Sequence, residues 1–220
     1  MRVDVTFEQT DMEIRPAFDT IIPIDISAAS VQALLDGTIS GAYISDKVTT
    51  LKLAAFASCT KLTYVSLPNC VQFDSFRTFW NCREITEIHL PNLTTIKDGN
   101  YAFNSMTSLQ EIVLPSLTHF GSMNSSFAEN SYIRKINLPR LGGATVGSNC
   151  FHNCYRLETL ILGGDKLNFL GNTNAFGNAG RYVEEGFSIY VPDDLVDMYK
   201  TATNWTAYAD RIKPMSELEA

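Results

Sequence analysis

"AFNSMTSLQEIVLPSL", residues 102–117, holds the pattern from which the fold follows. In its second half Ile112 and Leu114 fall on one face of an extended segment, and Glu111 and Val113 fall on the other. Such alternation is that of a half-buried strand. Pro115 closes the segment, because proline has no N–H to give to a ladder. The same words recur along the chain as "LTYVSLPNC" (62–70), "ITEIHLPNL" (85–93), "IRKINLPRL" (133–141) and "LETLILGGD" (157–165), and less fully as "VTTLKLAAF" (48–56). The five strong copies begin at Leu62, Ile85, Leu109, Ile133 and Leu157, with spacings of 23, 24, 24 and 24 residues. A second landmark lies six residues upstream of each, at Phe56, Phe79, Phe103, Phe127 and Phe151, and one more follows at Phe176.

Two landmarks on one period define a repeat. A unit this short cannot bury its own apolar face, whereas stacked copies form one continuous core. The expected fold is therefore a mostly β solenoid of the α/β type, with about six repeats, a parallel sheet along one face and covered ends. The return segment, for example "NLTTIKDGNYAF" (92–103), should contain a short second strand at "TTI" (94–96) and a turn before the Phe. The division expected is an N-terminal cap or small module over 1–47, the repeats over 48–192, and a capping helix and tail over 193–220. In the first part, "RVDVTF" (2–7) and "TIIPIDI" (20–26) read as strands, and "SAASVQALLDG" (27–37) as a short helix with Ser27 as N-cap and Leu34 and Leu35 facing inward. In the last part, "FSIYV" (187–191) reads as a final strand. Pro192, Asp193 and Asp194 suit a helix start, and Leu195, Met198, Tyr199, Ala202 and Trp205 form an apolar stripe. A capping helix explains that stripe; a binding aromatic box is the alternative.

The units "AFNSMTSLQEIVLPSLTHFGSMNSSF" and "CFHNCYRLETLILGG" resemble the BspA-type leucine-rich repeats of bacterial surface and phage-associated proteins, over roughly residues 42–192. That resemblance implies a right-handed leucine-rich-repeat superhelix with one parallel strand per 23–24-residue repeat. It also implies adhesion to host or matrix molecules, with no catalytic residue to carry over. The fifth unit departs from the pattern, having "LGG" (162–164) for "LP" and 30 residues from Leu157 to Phe187, so the last turn should bulge or carry a loop, "GNAGRYVEEG" (177–186). The opening "MRVDVTF…AFDTIIPI" resembles leaders of phage- or prophage-encoded proteins of gut bacteria.

Of the 220 residues, 45% are hydrophobic and 19% charged, which is ordinary for a globular protein. The net charge of −7 argues against a nucleic-acid partner, since that affinity rests on clustered Lys and Arg. Residues 1–47 carry about −5, residues 181–220 about −4 and the middle about +2. The charged N-terminus contains no signal-peptide h-region, and no apolar run is long enough for a membrane span. The expectation is a chain that is cytoplasmic as encoded, or surface- or virion-associated by a route outside this sequence.

"CFHNC" (150–154) invites a zinc or redox reading. Aligned with "TFWNC", "AFNSM" and "SFAEN", it becomes one more copy of the Phe-centred turn. Cys59, Cys82 and Cys154 stand where Met106, Asn130 and Ala179 stand in other units, and Cys150 where Ala, Thr or Ser does. Cys70 takes the slot of Leu93, Leu117 and Leu141. All five cysteines read as core filling, with a Cys59–Cys82 disulfide as the alternative. His152 falls at a tolerant position, and His89, His119 and His152 differ in phase, so no metal or cofactor site is expected. No catalytic motif is present, and Glu184–Glu185 and Asp193–Asp194 are explained by solvation and capping. The sequons at Asn92, Asn124 and Asn204 read as chance.

Surface recognition remains. The third and fifth residues of each strand should point outward: Thr50 and Lys52, Tyr64 and Ser66, Glu87 and His89, Glu111 and Val113, Lys135 and Asn137, Thr159 and Ile161, then Ser188 and Tyr190. This mixed face is the expected binding surface for a protein or glycan partner. The alternative is a structural component of a phage particle or surface assembly, in which the solenoid is a spacer. A hydrolase would instead need a deep pocket with convergent titratable groups.

Overall fold

A computed structural model describes residues 40–219, apart from residue 53. The strands and helix expected at 2–7, 20–26 and 27–37 lie outside the described residues. A first set of strands comprises β1 (Ser40–Ile44), β3 (Lys61–Ser66), β5 (Glu87–His89), β7 (Glu111–Val113), β9 (Lys135–Leu138), β11 (Thr159–Leu162), β13 (Ser188–Val191) and β14 (Ile212–Pro214). Between them run β2 (Thr50–Leu51), β4 (Gln72–Phe73), β6 (Thr95–Asp98), β8 (His119–Ser122), β10 (Thr145–Val146) and β12 (Phe169–Leu170). All pairings are parallel, and each joins one rung to the next. The chain is thus a mostly β solenoid with two strands per rung. The second strand expected at "TTI" (94–96) is β6, which begins one residue later and runs on to Asp98.

The apolar letters of the repeat line the interior. Leu62, Ile85, Leu109, Ile133 and Leu157 are all fully buried, as are Val65, Ile112, Ile136 and Leu160. Behind them stands a column of rings. From Phe56 through Phe79, Phe103, Phe127 and Phe151 to Phe176, successive centroids are 4.9–6.0 Å apart and the planes lie within 18° of one another. Offset stacking of this kind adds to the burial of each ring, itself worth about 2–3 kcal/mol.

A third backbone ladder holds the column. The residues two before and two after each Phe from Phe56 to Phe151 have φ between 52° and 64°, and none of these ten is glycine. Those left-handed residues turn the intervening peptides along the solenoid axis. Phe79 N then donates to Ala102 O, Phe103 N to Ser126 O and Phe127 N to Cys150 O, at 2.8–2.9 Å. Asn81, Ser105 and Glu129 make the matching bonds two residues later. Each left-handed L-residue costs about 1–2 kcal/mol, offset by these axial hydrogen bonds between peptide groups of adjacent rungs.

Four expectations need correction. "VTTLKLAAF" is not a copy of the main strand. Its Thr50–Leu51 pairs with Gln72–Phe73 as a second strand, and β1 is the true counterpart of β3, Tyr43 opposing Val65. Gly41, a register shift after it, and Asp46 in place of proline hide that strand from the pattern. The sheet therefore starts upstream of residue 48, within the stretch assigned to the cap. At the other end the capping helix is only α1 (Val196–Thr201), flanked by 3-10 turns at Asp193–Leu195 and Trp205–Arg211. Met198, expected in the apolar stripe, is 50% exposed, whereas Leu195, Tyr199 and Trp205 are buried in the core and Val196 and Ala202 pack partly against it. Finally, the tail is not merely a tail: β14 extends the sheet by one strand, and Lys213 and Pro214 blunt its edge.

The expected loop is present. Leu160 pairs with Ile189, a step of 29 residues where Ile136 to Leu160 is 24, and the excess forms the turns of 177–186. No helix among the described residues is long and apolar enough to cross a membrane.

Candidate functional site: the strand face and its break

The main sheet is interrupted once. β1, β3 and β5 form one part and β7, β9, β11, β13 and β14 the other. Among the described residues no backbone hydrogen bond crosses from Glu87–His89 to Glu111–Val113. At intact junctions Leu67 N donates to His89 O, and Leu114 N to Asn137 O. Glu87 and Glu111 occupy the same outward position of consecutive units, and like charges set opposite each other weaken strand pairing. Elsewhere in that row Tyr64 opposes Glu87, and Lys135 opposes Glu111 and Thr159, so this is the one junction of two carboxylates.

The break opens a groove of about 620 Å³ on the strand face. Glu87, His89 and Pro91 line one wall, and Gln110, Glu111 and Val113 the other. Four of the residues expected to face outward, Glu87, His89, Glu111 and Val113, thus meet in one concavity. Lys135 Nζ lies 2.9 Å from Glu111 Oε1 and neutralises that wall, while Glu87 has no ion pair among the described residues. The second sheet is broken at a different height, between β8 and β10, where Gly142–Gly143 push the next strand two residues late. A smaller groove of about 350 Å³, walled by His119 and the glycines, lies there.

The remaining face residues run in two rows. Tyr64, Lys135, Thr159 and Ser188 stand in the first, half-buried. Asn137, Ile161 and Tyr190 stand in register in the second. Two of the expected contact residues are covered instead: Ser66 is 8% exposed and Ile161 5%. Ile161 sits in register between Asn137 and Tyr190, which flank it on both sides. Thr50 and Lys52, placed on this face by the misread unit, belong to β2 and its exit on the other sheet. Asn137 Oδ1 is buried without a hydrogen-bond partner, because its register neighbours Val113 and Ile161 offer only methyl groups. Lys213, in register with Tyr190, joins this row. Only the strand pairing of β14 reveals it, since "RIKPM" carries no repeat signature.

The cysteines do not form a site. All five are buried and free, so the Cys59–Cys82 disulfide is not made. Cys82 Sγ donates to Phe56 O at 2.9 Å and Cys154 Sγ to Phe127 O at 3.1 Å; Asn130 Nδ2 does the same to Phe103 O at 2.9 Å. The slot thus wants a small donor that satisfies the carbonyl of the preceding ring residue. Burial pushes the thiols of Cys82, Cys150 and Cys154 far up, and Cys70 up to about 11, so none is a thiolate near neutrality. His152 lies on the surface with Nδ1 3.6 Å from Glu129 Oε1. No group of three metal-ligating side chains is found among the described residues.

Comparison with known proteins agrees with this architecture. Residues 35–158, more than half of the chain, match the BspA type leucine rich repeat region in six copies. No curated protein matches. The solved structure of the pneumococcal vaccine antigen PcpA is similar at 15% identity, with a TM-score of 0.54 over 79% of this chain and 39% of that one. A leucine-rich repeat protein from Bacteroides ovatus is similar at 18% identity, with a TM-score of 0.39 over 66% of this chain and 47% of that one. The chain spans less than half the length of either solved chain.

Proposed function

Because the chain belongs to the BspA-type leucine-rich-repeat family, we propose that it is a non-enzymatic binding module. It seats a protein or glycan partner on the strand face, centred on the groove between β5 and β7. One observation carries the reading: the sheet is broken where two carboxylates stack, and the break is a polar and apolar concavity rather than a filled core. A ladder optimised for stability alone would place an opposite charge or a Thr there, as the chain does at Glu111–Lys135. Side chains that give up pairing at one junction and leave a half-open surface suit a ligand better than a spacer. Affinity would come from a few central contacts ringed by weaker ones. Around the groove these are His89, Val113 and the Glu87 carboxylate, with Tyr64, Lys135 and Tyr190 at the rim.

The test is a comparison of the chain with a fourfold variant, Tyr64→Ala, Glu87→Ala, Lys135→Ala and Tyr190→Ala, against immobilised matrix proteins and a glycan array. All four side chains are at least partly exposed, so the fold should survive. Ligands captured by the parent chain should be lost from the variant. Undiminished capture would overturn the strand-face assignment and favour binding through the ends of the solenoid, as a spacer in a particle or surface assembly would do.

A further inference from the structure

A second recognition surface lies on a different side of the solenoid, along the arch that carries the ring column. Arg77 Cζ sits 5.1 Å from the ring centroid of Trp80, 5.4 Å from that of Tyr101 and 5.5 Å from that of Phe76. Phe76 is 46% exposed and Tyr101 37%. Arg77 is exposed, and among the described residues no carboxylate pairs with it, although the neighbouring Asp74 pairs with Lys97 at 2.7 Å. A planar guanidinium is therefore held among three rings with its N–H edge uncommitted.

The left-handed backbone position does not ask for these residues. Arg77 and Tyr101 both occupy the position two before the spine Phe, where φ is 57° and 58°. Other rungs fill that position with Ala54, Ser125 and Asn149, and Asn tolerates left-handed backbone best of these. Two adjacent rungs instead carry the two bulkiest choices, and these meet each other. Strain of this kind, where a cheaper residue is used in sister repeats, points to a requirement other than folding.

We propose that Phe76, Arg77, Trp80 and Tyr101 form a binding site for a carboxylate-bearing sugar. The guanidinium takes the carboxylate in a bidentate pair, and the rings pack on the apolar C–H face of the pyranose. The size of the cluster supports one or two sugar rings. All three centroids fall within 5.5 Å of a single carbon, and four side chains are far fewer than the roughly 20–30 residues a side that a stable protein interface uses. Charge favours an anion, since the cluster holds one cation and no carboxylate.

Tryptophan emission reads this site directly. The chain has two tryptophans; Trp205 is fully buried, and Trp80 is half-buried beside Arg77. Tetragalacturonate and 3′-sialyllactose are titrated against the full chain, with cellotetraose and tetraglutamate as neutral-sugar and acidic-peptide controls. At least one acidic sugar should shift the emission of Trp80, and added salt should weaken it. Arg77→Asn should weaken binding roughly tenfold, the loss of one charge-assisted pair, while leaving the melting temperature equal or higher. Tyr101→Asn should behave in the same way. The fourfold strand-face variant should bind the acidic sugar unchanged, so this site and the strand-face reading stand or fall separately. Absence of binding by both acidic sugars would overturn the proposal. So would equal binding of cellotetraose, equal binding of tetraglutamate, or full affinity in Arg77→Asn.

Discussion

The middle rungs and the C-terminal end close the same core by different means. Between Leu62 and Leu160 each rung repeats the last, and equivalent positions stack: Phe on Phe, aliphatic on aliphatic, left-handed residue on left-handed residue. Past Leu162 the pattern lapses, and beneath the apolar cap of Leu195, Tyr199 and Trp205 one buried polar side chain gathers the hydrogen bonds. Asn168 Oδ1 accepts from Ala144 N at 2.9 Å, and its Nδ2 donates to Leu141 O and to the Tyr199 hydroxyl, each at 2.9 Å. Its own carbonyl accepts from Trp205 Nε1 at 2.7 Å. Repetition distributes stability over many equivalent contacts, whereas an end, which meets no copy of itself, concentrates it in a polar hub.

The sharpest way to break that contrast is to remove a ring from the column. Phe127→Ala should cost about 3–5 kcal/mol, because the ring is fully buried and stacked on both sides, at 5.4 and 5.6 Å. Urea unfolding should show the loss over the whole solenoid, since the cavity severs the column in mid-array. A change under 1 kcal/mol would mean that the column is not what couples the rungs.

A smaller loss, about 2–3 kcal/mol, is expected for Asn168→Ala, which leaves Ala144 N–H and Leu141 C=O buried without their side-chain partner and the Tyr199 hydroxyl with only the backbone N–H of residue 168. Here hydrogen exchange should localise the damage to residues 165–214 while the middle rungs keep their protection. Uniform loss of protection would erase the distinction between the two regions.

pH sharpens the comparison further. All five thiols lie at or before residue 154, so the rungs carry them and the cap does not. Burial raises the Cys70 thiol from 9.0 to about 11, which makes the folded state favour the neutral form. That contribution is complete below pH 9 and is lost as pH rises toward 11, where the unfolded chain ionises first. Two units correspond to at most about 2.7 kcal/mol. The melting temperature should fall over this window, and Cys70→Leu, the residue that later units use in this slot, should flatten the fall. An unchanged slope would remove Cys70 from the account.

Much of this could be read from the letters because the repeat presents the same constraint several times over. Phe103 or Ile112 alone says little; six and five copies in phase define a buried column and a strand. The grooves and the two end strands were not legible for the converse reason. β1 lacks the leucine and the proline of its sister strands. β14, in "RIKPM", looks like a solvated tail. The break between β5 and β7 depends on Glu87 and Glu111 being neighbours, which the period implies, and on the ladder yielding there, which the period does not. The ten left-handed positions escaped notice because they hold Ala, Ser, Arg, Tyr, Glu and Asn rather than glycine. Likewise, Phe76, Arg77, Trp80 and Tyr101 belong to two different units and become one cluster only when adjacent arches stack.

By itself, then, the sequence determined the rung: which residues face inward, how long the unit is, and why the cysteines are packing rather than chemistry. Periodicity is a local property, and burial follows from it. Only the tertiary structure decided where the sheets part, how the ends are closed and which exposed side chains meet across rungs. Those outcomes turn on differences of about 1 kcal/mol between neighbouring pairs in an otherwise uniform array, and differences of that size are settled by the contacts a residue makes, not by the residue alone.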